Sequence, residues 1–401
     1  MTRIAAAESA HEVAFDEPYG LLMEPGPTLV DPRVTAAAGQ PPIHHLHPHF
    51  QQVVGRVVDG LSAVTGTSCS TLIPATGRGG VEAAMTSLTL EGRRILVLRN
   101  GEFGDMLHAI ARRQPAQVQS YERASGETFD REAVARIAAA WRPHVVMMVH
   151  SESSTGMLND IAAVAGIAAE VDALLLVDAI SSAGALELDA DGVGIDLTVT
   201  ASQKALGALT GLSSVSWSRR ALDALHTRPR DPDQYYLDLR RWWDSWLTEA
   251  EGGRARPGAR RLPWSMPTAL VLALEAALDA IDRETLAARA GRHAAMAARF
   301  RLLARDLGYS TLVDDDVASP SLTALLPPDG IAANGVLRAL EADGIRVAGG
   351  IGELAGRILR VGHMAESARP LPLARTAVAL GNAIGSRIDL PTAMKWMEDG
   401  R

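Results

Sequence analysis

Cysteine is almost absent from this chain, since Cys69 stands alone among 401 residues. A single cysteine excludes an intrachain disulfide and argues against a cysteine-rich zinc site. Because disulfides belong to oxidising compartments, we expect the chain to work in a reducing, cytoplasmic setting. Long apolar runs are absent too, and without about 18 consecutive apolar residues no transmembrane helix is predicted. The first twenty residues also lack the apolar stretch of a secretory signal.

The chain has no excess of positive charge. Its 39 Lys and Arg residues face 47 Asp and Glu residues, which gives a formal net charge of −8. A protein that binds nucleic acid presents a basic face, so this function class is not expected. Aromatic residues make up only 4%, and we find neither an internal repeat nor a low-complexity tract. The length suits a globular protein of two domains.

Several short apolar runs, each ended by polar or turn-forming residues, predict strands that are covered on both faces. These runs are 95–99, 144–150, 173–177, 197–200 and 213–217. Apolar residues at helical spacing lie between them, in 131–141 and 161–171. Strands that alternate with helices predict an α/β fold with a mostly parallel sheet, and ligands bind such sheets at the carboxyl ends of the strands.

The character of the chain changes twice after the last of these strands. A segment from about 227 to 267 is rich in Arg, Pro, Gly and aromatic residues. Helical patterns then resume, and shorter pieces of mixed type follow. We therefore predict three parts: an N-terminal arm at 1–21, a large domain at 22–284, and a smaller α+β domain at 285–401.

Two charges stand where charges are costly. Asp178 ends the run ALLLVD, and Lys204 directly follows the next predicted strand. Both should lie at the carboxyl edge of the sheet, where a buried charge is unfavourable unless it is paired. One arrangement that uses such a pair is a pyridoxal-phosphate site, with a Schiff-base lysine and a carboxylate at the ring nitrogen. A buried salt bridge without a cofactor explains the same spacing, and both interpretations stay open on spacing alone.

An ordered set of motifs accompanies this pair. They are PGPT at 25–28, ATGRGGVEA at 75–83, NGEFG at 100–104, HSESSTG at 150–156, VDAISSAG at 177–184, GID at 194–196, SQKAL at 202–206, AGGIGEL at 348–354 and GRILRVGHM at 356–364. Over about residues 22–383 the chain resembles the class V aminotransferases, in the alanine–glyoxylate (serine–pyruvate) branch. The resemblance implies pyridoxal-phosphate fold type I, with 22–284 as the cofactor-binding domain, and pyridoxal 5'-phosphate as cofactor.

The resemblance also implies a role for each residue that matches the family's motifs. Lys204 is implied as the Schiff-base lysine and general base, and Asp178 as the partner of the ring nitrogen. The implied cofactor-binding positions are Thr76, Gly77, Arg78, Phe103, Ser153, Asp178, Ile180, Gln203, Lys204 and Ser265. Arg360 and Gly26 are implied to bind the substrate, and the guanidinium of Arg360 is implied to bind the carboxylate of the substrate. Ser265 is implied to reach the phosphate of a neighbouring subunit, which predicts a homodimer with shared active sites.

Some positions depart from the family's pattern. Asp105 and Met106 follow the NGEFG turn where the family often has arginine, His45 precedes Leu46 instead of arginine, and ALTGL stands at 208–212 instead of APPGL. These positions surround the substrate side of the site, so the identity of the substrate stays open. The four histidines of HHLHPHF, at 44, 45, 47 and 49, have a poor spacing for metal ligands, and we predict no metal there.

The implied activity is transfer of an amino group from an amino acid to a small 2-oxo acid, glyoxylate or pyruvate. Three alternatives remain. Stretches 317–330 and 360–370 also resemble pyridoxamine–pyruvate aminotransferase, whose amine is not an amino acid. The second is a lyase on the same fold. One such enzyme, a cysteine desulfurase, would need a cysteine late in the chain, whereas Cys69 lies early. A non-catalytic, cofactor-binding regulatory protein is the third, and no appended DNA-binding segment supports it.

Overall fold

The computed structural model describes residues 19–88, 91–247 and 260–400. A seven-stranded sheet forms the centre of the first half, in the order β2-β10-β9-β8-β5-β3-β4. Its strands are β2 (Ser70–Ile73), β3 (Arg94–Arg99), β4 (Gln117–Glu122), β5 (Val145–Val149), β8 (Leu174–Asp178), β9 (Leu197–Ala201) and β10 (Ser213–Trp217). Strand β10 runs antiparallel to both of its neighbours, and the pairs from β9 to β4 are parallel. The predicted mostly parallel sheet is therefore confirmed.

Helices cover this sheet and bury its apolar strands. They are α1 (Pro32–Ala38), α2 (Pro48–Thr65), α3 (Gly77–Ser87), α4 (Glu102–Ala111), α5 (Arg131–Trp141), α6 (Ile161–Glu170), α7 (Ala190–Val193), α8 (Arg219–His226), α9 (Arg240–Ser245) and α10 (Thr268–Glu284). Asp130 caps α5 and Asp160 caps α6, because each side chain accepts a hydrogen bond from a free N–H of the first turn. The two helices begin at the residues that the sequence pattern predicts.

A second, smaller sheet follows, in the order β11-β12-β15-β14 with antiparallel pairing throughout. Its strands are β11 (Ser310–Thr311), β12 (Leu322–Leu326), β14 (Ala348–Gly349) and β15 (Leu359–Gly362). Four helices pack with it: α11 (Leu286–Asp306), α12 (Ala333–Ala342), α13 (Pro370–Ile384) and α14 (Leu390–Asp399). Two short pairs complete the pattern, β1 (Leu21–Leu22) with β13 (Ile345–Arg346), and β6 (Ser151–Glu152) with β7 (Met157–Leu158).

Two large apolar clusters correspond to the two sheets. The first gathers residues between Val34 and Ile281, and the second gathers residues from Met296 to Met397 together with Leu21 and Met23. The division at 21 and 284 remains a prediction, and most of the predicted arm lies outside the described residues. No helix of the described ranges has the length and the apolar run that crossing a bilayer requires.

The aromatic side chains of the segment from 227 to 267 include a buried group and an exposed group. Trp242, Trp243 and Trp246 are fully buried in the first apolar cluster, on α9 and directly after it. They therefore anchor the segment to its own protomer and are not available to line an interface. Tyr235 and Tyr236, in contrast, are 68% and 45% exposed. Residues 248–259 of the Arg- and Trp-rich loop lie outside the described residues.

Candidate active site

Asp178 and Lys204 meet at one edge of the large sheet. Strand β8 ends at Asp178, and Lys204 follows the end of the parallel neighbour β9 by three residues. Both side chains line a cavity of about 290 Å³. Ten of the twelve residues singled out in the sequence line this cavity: Gly26, Thr76, Gly77, Arg78, Phe103, Ser153, Asp178, Ile180, Gln203 and Lys204. These residues converge because they follow strands or begin the helices after them, and ligands bind at the carboxyl ends of the strands in such sheets.

Asp178 is a buried acid with one oxygen left for a ligand. It is 3% exposed, and its Oδ1 accepts a hydrogen bond from the Ile180 N–H at 2.9 Å. Its Oδ2 has no hydrogen-bond partner within the described chain. Burial raises the pKa of the carboxyl from 3.8 to about 7, and the nearby charge of Glu152 adds to the rise. A positively charged or proton-bearing ligand group facing this carboxyl would reverse that rise.

Lys204 shares the cavity with Asp178 without forming a salt bridge to it. Its Nζ donates a hydrogen bond to the Pro25 carbonyl and lies 5.9 Å from the centre of the Phe103 ring. Burial lowers the pKa of Lys204 from 10.5 to about 8, although the charge of Asp178 opposes the change. The two charges therefore stand apart across a cavity, which disfavours the interpretation as a plain buried salt bridge.

Gly26 lies directly against the lysine side chain. A Cβ at this position would come within 2.3 Å of Lys204 Cδ, and the backbone has φ +108°, a conformation that glycine adopts without strain. Any other residue here would displace the lysine. Gly77 has a similar relation to Ile180, whose Cδ1 would lie 2.4 Å from an added Cβ.

The N-terminus of α3 gives the cavity an anion-binding end. Thr76 is the N-cap residue, and its side chain makes no capping hydrogen bond, so the first N–H groups of the helix lack acceptors. Arg78 lines the cavity beside them. The Oε1 atom of Gln203 is buried without a hydrogen-bond partner, so this amide is free to orient toward a ligand. An N-terminus with an arginine and an unpaired amide fits a phosphate group.

Arg360 lies beside the cavity and is held in place by two carbonyl groups. It is a buried residue of β15, and its Nε donates to the Gly349 carbonyl at 2.8 Å while Nη1 donates to the Ser153 carbonyl at 2.9 Å. No partner occupies Nη2 within the described residues. Ser153, whose carbonyl accepts from Arg360, lines the cavity, so this contact places the guanidinium at the edge of the cavity. The charge of Arg360 also contributes to the lowered pKa of Lys204. The free end of this guanidinium suits a carboxylate.

Glu152 was missed by the sequence interpretation, although it lies within the HSESSTG motif. The side chain is fully buried and accepts hydrogen bonds from the Ser154 hydroxyl at 2.6 Å, the Gly104 N–H at 3.0 Å and the Phe103 N–H at 3.2 Å. It therefore holds the N-terminus of α4, the helix whose first turn carries Phe103. A glutamate three residues after the end of the wholly apolar strand β5 is the signal that would have marked it.

The remaining sequence-predicted positions are spread more widely. Ser265 is exposed and does not line the cavity, so a role for it would require a neighbouring subunit. Met106 and Thr210, two departures from the family's pattern, do line the cavity. The histidine segment at 44–49 is mostly exposed, and none of the residues that the structure describes forms a cluster of His, Cys, Asp or Glu suited to a metal.

Comparison with known proteins agrees with this architecture. Residues 37–353 match the family model "Aminotransferase class-V". The chain is 32% identical to L-aspartate–glyoxylate aminotransferase of Paracoccus denitrificans, over 88% of this chain and 89% of that protein. The structure superposes on an alanine–glyoxylate aminotransferase from Nostoc sp. with a TM-score of 0.86 and 30% identity, over 96% of this chain and 100% of the other.

A third relative has a different amine in its name. Pyridoxamine–pyruvate aminotransferase from Mesorhizobium loti superposes with a TM-score of 0.85 and 27% identity, over 94% of this chain and 96% of that one. The family match covers most of the chain, and the same fold extends over nearly all of it. Together with Asp178 and Lys204 in one cavity at the carboxyl edge of the sheet, these matches establish that the chain belongs to the class V aminotransferases, a family of pyridoxal-phosphate-dependent enzymes of fold type I.

Proposed function

We propose that this aminotransferase moves an amino group from an amino acid to a small 2-oxo acid, glyoxylate or pyruvate, with pyridoxal phosphate attached to Lys204. The observation that carries the proposal is the cavity that Asp178 and Lys204 share without pairing, with Arg360 beside it. The names of the relatives from Paracoccus and Nostoc, both glyoxylate aminotransferases, favour that acceptor.

The residues around the cavity fit the cofactor in size and chemistry. The first turn of α3, Arg78 and Gln203 would hold the phosphate, and Phe103 and Ile180 would supply apolar surfaces for a flat ring. Asp178 would face the ring nitrogen. When bound, pyridoxal phosphate supplies an electron sink that stabilises negative charge at the substrate Cα.

Three side chains would then carry the chemistry. Asp178 would keep the ring nitrogen of the cofactor protonated, since its buried carboxylate would stabilise the positive charge of the protonated form. Lys204, as the neutral amine, would remove the proton from the substrate Cα and deliver it to the cofactor carbon that carries the substrate nitrogen. Its lowered pKa makes the neutral form accessible near pH 8. Arg360 binds the substrate carboxylate and so sets the direction in which the Cα proton points.

A homodimer in which each subunit completes the other's site belongs to the same proposal. It is supported by the exposure of Ser265 and of the two tyrosines at 235 and 236, of which Tyr236 packs on Trp264 with ring centres 5.2 Å apart. Exposed aromatic surface of this kind is common at protein interfaces. We also propose that the protein works in the cytoplasm, as the single cysteine led us to expect.

A spectral half-reaction screen tests the proposed reaction. Purified holoenzyme is mixed in turn with alanine, serine, aspartate and pyridoxamine, and the absorbance of the cofactor is recorded. We expect at least one amino acid to convert the cofactor to its amine form, and glyoxylate or pyruvate to restore it. Conversion by pyridoxamine alone would favour the pyridoxamine–pyruvate type of activity. Release of ammonia without conversion of the cofactor, for example from serine, would indicate a lyase and overturn the proposal.

Arg360→Leu tests the carboxylate site. We expect kcat/KM for amino and 2-oxo acids to fall roughly tenfold to a thousandfold, because charged hydrogen bonds to the carboxylate are lost. The absorbance of the resting enzyme should hardly change, since Arg360 is proposed to touch substrate and not the ring. If the donor carries no carboxylate, the loss should appear mainly with the 2-oxo acid.

The matched control for this variant is Arg346→Leu, which removes an exposed arginine that pairs with Glu341 on the surface. This control should behave as wild type in both half-reactions. Equal turnover of Arg360→Leu and wild type with every carboxylate substrate would show that another residue binds the carboxylate.

A further inference from the structure

Arg289 is a buried cation on α11 that does not line the cavity. It is 3% exposed, and its three guanidinium nitrogens each have an acceptor. Nε donates to the Gly184 carbonyl at 2.8 Å, Nη2 donates to the Ala205 carbonyl at 2.9 Å, and Nη1 meets the Glu284 carboxylate at 3.2 Å. Burial lowers the pKa of Arg289 to about 10, so it remains charged at neutral pH.

The Ala205 carbonyl belongs to the turn that carries Lys204. The next link in this turn is the Gly207 N–H, which donates to the Lys204 carbonyl at 2.8 Å. The turn is packed closely on both sides: a Cβ on Gly184 would come within 2.9 Å of the Ala205 oxygen, and one on Gly207 within 2.8 Å of Ala365 Cβ. Arg289 therefore holds the turn that carries Lys204 through its hydrogen bond to the Ala205 carbonyl.

Helix α11 also contacts the backbone that follows β15, the strand of Arg360. Arg292 donates to the Ala365 carbonyl at 3.0 Å and the Ala368 carbonyl at 2.8 Å, and His293 accepts the Ala365 N–H at 3.0 Å. Ala365 lies shortly after β15, the strand of Arg360. One turn of α11 thus connects the backbone next to the lysine with the backbone that follows the arginine strand.

We propose that Arg289 is a positioning residue, which sets Lys204 relative to the bound substrate by holding the Ala205 carbonyl. The inference rests on the proposed role of Lys204 in moving the Cα proton. A planar guanidinium is suited to this because its donors reach two carbonyls on different loops and a carboxylate at once. A lysine has its donors at one point and cannot span the three acceptors.

Arg289→Lys tests the inference in two ways. In the apoprotein, hydrogen exchange of the peptide that spans 202–208 should become at least roughly tenfold faster, because the turn loses one of its hydrogen bonds. In the holoenzyme, kcat of the amino-acid half-reaction should fall roughly tenfold to a hundredfold, while KM stays within about threefold, because misplacement affects proton transfer more than substrate binding. Added guanidinium should restore part of the loss in Arg289→Ala.

Arg301→Lys is the matched control, since Arg301 is a buried arginine of the same helix that pairs with Asp315 at 2.7 Å. It should leave the exchange of 202–208 and kcat at wild-type values. If Arg289→Lys does not fold, Glu284→Gln takes its place, because it weakens the ion pair with the Arg289 guanidinium. It should show a smaller rise in the exchange of 202–208 and a smaller fall in kcat. Unchanged exchange, or losses equal to those of Arg301→Lys, would overturn the inference. If the wild type transaminates no donor, the proposed function fails, whereas the exchange result still tests the positioning.

Discussion

Lys204→Ala should lower kcat/KM for transamination by roughly 10³- to 10⁴-fold and leave a protein without a covalently attached cofactor. The variant loses both the amine that anchors the cofactor and the base that moves the Cα proton. The chain offers an unusually clean measurement, because Lys204 and Lys395 are its only lysines. Borohydride treatment of the wild type, followed by peptide mapping, should place the reduced cofactor on the Lys204 peptide.

Lys395→Ala is the control, since Lys395 is an exposed residue of α14. It should keep wild-type activity and labelling. The pH dependence of cofactor capture adds a second check: the amine must be neutral to attack the cofactor aldehyde, so the capture rate should rise with pH and level off above about 8. Label on Lys395, or a colourless wild type that takes up no pyridoxal phosphate, would contradict the assignment.

Asp178→Asn should slow proton transfer in the half-reaction by roughly 10²- to 10³-fold, and weaken cofactor binding much less. The amide keeps the shape of the side chain but removes the negative charge that stabilises a proton on the ring nitrogen. The half-reaction rate is measured by stopped-flow absorbance, and cofactor affinity by titration of the apoprotein.

Asp196→Asn separates this effect from the general loss of a buried charge. Asp196 is also buried, but it lies before β9 and pairs with Arg220 at 2.6 Å, at the opposite edge of the sheet. Its variant should lose stability and keep its proton-transfer rate at saturating cofactor. An unchanged half-reaction rate in Asp178→Asn would show that Asp178 is only a structural charge.

The stability of the apoprotein should respond to Asp178 in a defined direction. The folded pKa, about 7, is above the ordinary value of 3.8, so the folded state keeps a proton that the unfolded chain has lost. The wild-type apoprotein should therefore lose stability as pH rises from about 4 to about 7. Asp178→Asn lacks this loss, and its Tm should exceed that of the wild type at pH 8 and approach it near pH 4.

The large sheet was predictable because its strands and helices are local features. The apolar runs at 95–99 and 213–217 coincide with β3 and β10 within one residue, and the predicted 131–141 helix is α5. Because ligands bind at the carboxyl ends of parallel strands, the sequence also predicted that Asp178 and Lys204 lie close together. Strand β4 was not predicted, since its alternate residues are partly exposed at the edge of the sheet and it has no continuous apolar run.

By itself the sequence determined the residues that line one end of the cavity, where the cofactor is proposed to bind: a glycine-rich turn into α3, an acid at the end of β8 and a lysine after β9, each set by a few neighbouring residues. The tertiary structure alone decided the contacts that join distant segments. Arg360 meets Ser153, 207 positions away, and Arg289 meets Ala205 across 84 positions. Periodicity and turn chemistry reach only a few residues along the chain. Which donor finds which carbonyl over such separations depends on how the two sheets pack, and that follows from the shape of their buried faces.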